Sequence, residues 1–208
     1  MHKLLTQWDT SLTPTQHARL DANLARRRFV FDNLKAAAAL SFAPAVLALT
    51  GCDAEDRSNE QARLSQVEPW YTFAATQQQL FPDDGDGPDA KAINATSYLK
   101  FVMDAPDTDP DDRRFILDGV DWLNRLAIAR YTGVFASCEP AQQVSLLHEI
   151  SQSRAGERWL SYLVTYVIEA LLSDPVYGGN PDGIGWKWLQ HIPGFPRPPA
   201  NKRYFDLL

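Results

Sequence analysis

The chain has 208 residues, 45% of them hydrophobic and 22% charged, which is enough for one core and too little for several. Its formal net charge is −6, a balance that argues against nucleic acid and anionic lipid headgroups as direct partners. There are only two cysteines and no Cys-x-x-Cys-His, so no covalent haem site is encoded.

The N-terminal region is organised as an address. Arg26-Arg27-Arg28-Phe29-Val30 is followed by an uncharged stretch over residues 36–50 and closes on Leu49-Thr50-Gly51-Cys52. Arg26, Arg27 and Phe29 look like a twin-arginine export signal. Leu-Thr-Gly-Cys looks like a bacterial lipobox, in which Cys52 would be acylated and become the new N-terminus. Basic region, apolar region and small-residue cleavage site stand in the order that export requires. The uncharged run falls short of the about 20 apolar residues that span a bilayer, and Pro44 interrupts it. A buried alanine-rich helix is the plainer reading, but it has no reason to end in Leu-Thr-Gly-Cys behind an arginine cluster. Residues 1–51 are therefore read as a signal peptide with an N-terminal extension. Residues 52–68, polar and without periodicity, read as a lipid-anchor tether, and 69–208 as the domain. The first 51 residues hold six Lys and Arg against three Asp, so the remainder carries −9. Asp53 follows the cysteine; by resemblance to other lipoproteins this implies retention at the inner membrane. The expected location is the periplasmic face of that membrane.

The domain opens with Pro69-Trp70-Tyr71-Thr72-Phe73, an aromatic cluster expected as a strand or an extended lead-in. Phe81 to Asp89, with its Asp, Gly and Pro, reads as a turn-rich loop. Helical spacing begins at residues 90–103, where Ala92, Ala95, Leu99, Val102 and Met103 share a side. Asp109-Pro110-Asp111-Asp112 is a helix start: a cap, a proline suited to the first turn, and two acids at the positive end of the dipole. That helix turns Ile116, Val120, Leu123 and Ala127 inward and is expected to stop at Gly133. Glu139-Pro140 starts another, with Val144, Leu147 and Ile150 inward. Residues 157–172 are apolar nearly all round through Trp159, Leu163, Tyr166, Val167, Ala170 and Leu171, as in a central helix. No alternating strand pattern competes, so the fold class is all-α.

After Asp174-Pro175 the helical period disappears as far as Pro199. A loop of this length is uncommon in a compact domain and tends to be functional. Tyr177, Trp186, Trp188 and Phe195 supply anchors of the kind enriched at interface centres. Asp174-Pro-Val-Tyr177-Gly178-Gly179-Asn180, Gly185-Trp186 and Pro193-Gly194, together with Phe81-Pro82 through Ala90, resemble the small third subunit of membrane-bound gluconate 2-dehydrogenase and related sugar dehydrogenases. The resemblance implies a noncatalytic partner of a large FAD-containing flavoprotein of the glucose-methanol-choline class. That large subunit typically lacks an export signal and leaves the cytoplasm bound to the small one. A multihaem cytochrome c, holding haem c, often completes the complex. The resemblance also accounts for a folded-protein export signal on a chain with no cofactor motif of its own: the loaded cargo would be the partner. On this reading Tyr177, Gly178, Gly179, Asn180, Gly185 and Trp186 are the partner-binding residues. For Trp186 a competing reading folds the indole back onto the domain's own core. The alternative function is a free-standing periplasmic lipoprotein that binds a ligand or another protein.

Other constellations carry less. Asp83, Asp84, Asp86 and Asp89 do not match the calcium-loop spacing and read as a solvated turn. His148 and His191 have no second ligand at metal spacing. No Gly-x-Gly-x-x-Gly and no Gly-x-Ser-x-Gly occurs, so no catalytic or metal residues are assigned. With Cys52 lipidated, Cys138 is expected as a buried, unpaired thiol.

Overall fold

The computed structural model describes residues 66–199 and 202–204, with Pro14 alone before them. Arg26, Arg27, Phe29 and Cys52 lie outside the described residues, as does most of the proposed tether. The described residues form α1 (Trp70–Leu80), α2 (Ala95–Asp104), α3 (Pro110–Tyr131), α4 (Pro140–Ser151), α5 (Arg154–Leu172) and the short α6 (Ile184–Trp188). Three single 3-10 turns, Phe135–Ser137, Pro175–Tyr177 and Pro181–Gly183, join them. The fold is all-α, without a strand among the described residues.

The aromatic lead-in is a helix, not a strand. Glu68 starts it: its carboxylate accepts from the Thr72 amide at 3.3 Å and from the Thr72 hydroxyl at 2.8 Å. A carboxylate at this end also meets the positive pole of the helix. The buried face of α1 is Thr72, Phe73, Thr76 and Gln77, which has helical spacing but is mostly polar. An apolar-periodicity reading passes over such a face. Its polar groups are satisfied internally. Gln77 Nε2 donates to the Ala95 carbonyl at 3.3 Å, and Gln77 Oε1 accepts from Thr96 Oγ1 at 2.8 Å. Farther along, Gln79 Nε2 donates to Gln143 Oε1 at 2.8 Å, and Gln143 Nε2 donates to the Phe135 carbonyl at 3.2 Å.

The loop after α1 makes two Asx turns, in which the Gly85 and Asp86 amides donate to Asp83 and Asp84 at 3.0 Å each. Helix α2 begins at Ala95 rather than Ala90, because Asn94 sits at φ 53°, off the helical path. Ala95, Leu99 and Met103 are buried, while Ala92 and Val102 are half-buried.

Helix α3 starts as expected. Asp109 accepts from the Asp111 amide at 2.9 Å, and Pro110 occupies the first turn. Ile116, Val120, Leu123 and Ala127 are all buried. The left-handed residue that ends the helix is Thr132 at φ 65°, one position before the expected Gly133. Helix α4 is capped reciprocally by Glu139 and Gln142. Its buried face is Gln143, Leu146, Leu147 and Ile150, and Val144 points outward. The expected face was rotated because Gln143, a polar residue, takes an inward position.

Helix α5 is the central element, in contact with α1, α2, α3, α4 and α6. It begins at Arg154, three residues before the expected start, with Ser153 Oγ accepting from the Gly156 amide at 3.0 Å. Trp159 is fully buried and stacks on Phe73 with ring centroids 6.3 Å apart. Its Nε1 donates to the Ile116 carbonyl at 2.9 Å. Gly119 makes room: a Cβ there would lie 2.1 Å from the indole nitrogen. The helix is apolar nearly all round but not buried all round, since Val164, Ile168 and Leu172 lie along an exposed face. Cys138 is half-buried and unpaired among the described residues, and burial pushes its thiol pKa up.

Candidate docking segment

The chain after α5 has no long helical period because its residues are used one at a time. Asp174 starts the segment, accepting from the Val176 amide at 3.1 Å. Gly178 turns at φ +93°, and a Cβ there would stand 3.3 Å from the Ser97 carbonyl oxygen of α2. Gly179 then lies directly on α5, where a Cβ would meet Ala170 backbone atoms at 2.8 and 2.9 Å.

Asn180 is the centre of the segment and is completely buried. Its amide donates to the Ile93 carbonyl at 2.9 Å. Its side-chain Nδ2 donates to the Ser173 carbonyl at 3.0 Å, and its Oδ1 accepts from the Gly185 amide at 2.7 Å. The φ of 49° at Asn180 is one that asparagine tolerates better than most side chains. One residue thus ties the loop before α2, the end of α5 and the start of α6.

Gly185 brings α6 onto α5, where a Cβ would stand 2.2 Å from the Leu171 carbonyl oxygen. The Trp186 indole then lies against the end of α5, 8% exposed, with Nε1 donating to the Leu172 carbonyl at 2.7 Å. That bond satisfies a carbonyl in the last turn of a helix, which has no intrahelical partner. The competing reading of Trp186 therefore describes its position: the indole covers this domain's own core. Gly179 and Asn180 are also buried, and Gly185 with them.

Tyr177 is placed differently. It is half-buried in an aromatic group with Phe101 at 5.3 Å and Tyr204 at 6.0 Å between centroids. Tyr204 donates to Asp107 at 2.9 Å, which fixes the end of the described chain to the loop before α3. Nearby, Tyr98 of α2 donates to Glu169 of α5 at 3.2 Å. Burial and that carboxylate hold the Tyr98 phenol well above its ordinary pKa.

Beyond α6 the chain turns outward. Trp188 packs edge-on against Phe81, centroids 6.5 Å apart, and Gly87 lies under its ring. Arg197 returns the chain to Asp174 through two bonds, Nε to Oδ2 at 2.9 Å and Nη2 to Oδ1 at 3.3 Å. Its guanidinium lies 5.2 Å from the centre of the Trp186 ring. Neither Trp188 nor Phe195 sits in the assigned motif, yet both are solvent-facing, whereas the assigned Trp186 is not. The signal that distinguishes them is the glycine before Trp186, which permits close approach to α5. His148 and His191 are not brought together with other ligands, and no group of three or more His, Cys, Asp or Glu suited to a metal ion occurs among the described residues.

These features define a class: a small all-α domain whose C-terminal segment is folded back on its central helix through glycine contacts and one buried asparagine. The chain belongs to the gluconate 2-dehydrogenase subunit 3 family, whose model matches residues 68–194, from the carboxylate that starts α1 to the loop beyond α6. By that description it is of the kind that serves as a subunit of a dehydrogenase complex. Comparison with curated proteins gives no match, and neither does comparison with solved structures.

Proposed function

We propose that this chain is a noncatalytic small subunit that escorts, stabilises and tethers a large FAD-dependent sugar or sugar-acid dehydrogenase of the glucose-methanol-choline type. The observation that carries the reading is the joining, in one chain, of a subunit 3 domain to an Arg26-Arg27-Arg28-Phe29 sequence of the kind read as a twin-arginine signal. Such a signal addresses a pathway for folded proteins. A loaded partner as cargo gives a domain that brings no flavin motif of its own a reason to use that pathway. The chain then supplies the address, and the partner supplies FAD and the chemistry. A cytochrome subunit with haem c would complete the complex, and Cys52 would hold it at the periplasmic face of the inner membrane.

The geometry supports a supporting role for the residues assigned to partner binding. Gly178, Gly179, Asn180, Gly185 and Trp186 fix α6 and the loop after it against α5. Docking in this proposal is performed by what they hold in place, with Tyr177 at the edge.

The test is replacement of both Arg26 and Arg27 by Lys. The charge is kept, and the receptor-read pair is lost. The flavoprotein should then remain in the cytoplasm together with the uncleaved small subunit, as cell fractionation and flavin fluorescence would report. Normal arrival of the flavoprotein in the periplasm would remove the escort role.

A further inference from the structure

The loop over residues 189–196 is held at both ends and bare in the middle. At its start the His191 amide donates to the Trp186 carbonyl at 2.8 Å. At its end Arg197 grips Asp174 and lies over the Trp186 indole. Pro193 and Pro196 restrict the backbone between them. Yet two large apolar side chains in the middle of this restrained loop, Ile192 and Phe195, are 83% and 81% exposed. Trp188 and Leu189, at the start of the same stretch of chain, are 38% and 44% exposed. Contiguous exposed apolar surface on a folded protein marks an interaction site. Restraint before binding lowers the entropy that docking must overcome.

Charge identifies the kind of occupant. Residues 52–183 carry ten Lys and Arg against twenty-two Asp and Glu. Residues 184–204 reverse this, with Lys187, Arg197, Lys202 and Arg203 and no Asp or Glu. Lys187 and Lys202 are exposed, and they flank residues 189–196 in the sequence. A face with an apolar centre and carboxylates on its rim complements such a surface. An anionic bilayer fits less well. Gly87 packs under Trp188, so the exposed Asp83, Asp84 and Asp86 also border the patch; a uniformly anionic surface would meet them as well as the lysines, whereas a protein face can set its carboxylates opposite the lysines alone.

We propose that residues 189–196 are the element that inserts into the partner subunit, with Ile192 and Phe195 entering an apolar pocket on an acid-rimmed protein face. This rests on the reading that the chain serves a flavoprotein subunit, and it assigns the contact to exposed residues outside the Tyr-Gly-Gly-Asn motif.

The experiment uses the full chain co-expressed with the flavoprotein and purified from solubilised membranes. Ile192→Asp/Phe195→Asp should leave the melting temperature of the small subunit unchanged, because both side chains are already in water. It should weaken flavoprotein capture at least about thirtyfold, the loss expected for a hot-spot anchor. Val144→Asp, an equally conservative test of an exposed apolar position on α4, should leave capture unchanged. If the unaltered chain captures no flavoprotein, the functional reading itself fails. If the unaltered chain captures it and the loop variant does so equally well, only the docking assignment is overturned. Retained capture with lost flotation on phosphatidylglycerol vesicles would overturn it in favour of a lipid surface.

Discussion

Asn180 is fully buried, and through its amide, Nδ2 and Oδ1 it bonds to three different parts of the chain. Asn180→Ala strands the Gly185 amide and the Ser173 carbonyl without opening a large cavity. Equilibrium urea unfolding should report a loss of roughly 2 kcal/mol, the usual cost of orphaning buried polar groups. Trp186→Ala removes a large, nearly buried ring as well as the bond to Leu172, and should cost roughly 3 kcal/mol. Binding of the flavoprotein, measured well below the variant's melting temperature, should fall less than it does for the Ile192/Phe195 pair. An affinity loss larger than for that pair, with little change in stability, would place Trp186 in the interface after all. The sequence alone marks these residues as special through their glycines and aromatics. It does not say which side of the chain they face, because that is decided by backbone approach to α5. A Cβ at Gly185 would strike Leu171, and only coordinates disclose that neighbour.

At the scale of elements, legibility followed the polarity of the buried face. Helix α3 carries its signals in both currencies, an Asp-Pro cap and an apolar stripe, and it was readable almost to its last residue. Helix α1 buries Thr72, Thr76 and Gln77, so its stripe is invisible to hydrophobicity and its aromatics suggest a strand. The crossing of α3 and α5 is a second matter of small residues. Gly119 sits under the Trp159 indole, and Gly119→Ala must displace a fully buried ring. Despite the better helix propensity of alanine, the substitution should destabilise by about 1–3 kcal/mol, as overpacking does. A higher melting temperature for this variant would contradict the packing described. Helix α5 also carries a stacked tyrosine pair, Tyr162 and Tyr166, that Asp112 ties to α3. Tyr162 donates to Asp112 at 2.8 Å and accepts from Arg158 at 2.8 Å. Burial first, and the Asp112 bond second, push its pKa up to about 12. Tyr98 and Tyr166 are raised as well, mainly by burial. A tyrosine whose folded pKa exceeds its unfolded value of about 10 favours folding fully below that pH. Its contribution is lost as pH rises from about 10 through the folded value. Urea midpoints should therefore hold steady from neutral to mildly alkaline pH and fall above about 10, and Tyr162→Phe should make that fall shallower.

At the scale of the whole molecule, the domain divides into two apolar clusters. The larger one holds Phe73, Leu123 and Trp159, and the smaller one holds Ile93, Val167 and Ala170 beside the C-terminal segment. Helix α5 contributes to both, so it links the stability of the bundle to the placement of the C-terminal segment. The all-α class and the central helix were legible because α5 is long and strongly apolar. The division into two clusters was not, since it depends on Asn180 reaching Ile93, 87 positions earlier in the sequence. The proposed anchor adds a constraint at the other end of the chain. Cys52 lies fourteen residues before residue 66, where the described domain begins. Fully extended, such a tether reaches about 45 Å, so the anchor restricts distance from the membrane without fixing orientation. Acylation and docking should therefore separate cleanly. Cys52→Ser should abolish incorporation of a palmitate analogue and release the small subunit, with its flavoprotein, into the soluble periplasmic fraction. Capture of the flavoprotein should be unchanged, because the proposed docking contact uses residues 189–196 and none of the tether. Failure of the unaltered protein to take up label, combined with release by a salt wash, would reject the lipid anchor and leave the escort role standing. Loss of flavoprotein capture in Cys52→Ser would instead mean that the two ends of the chain act together, against the independence that the tether length implies.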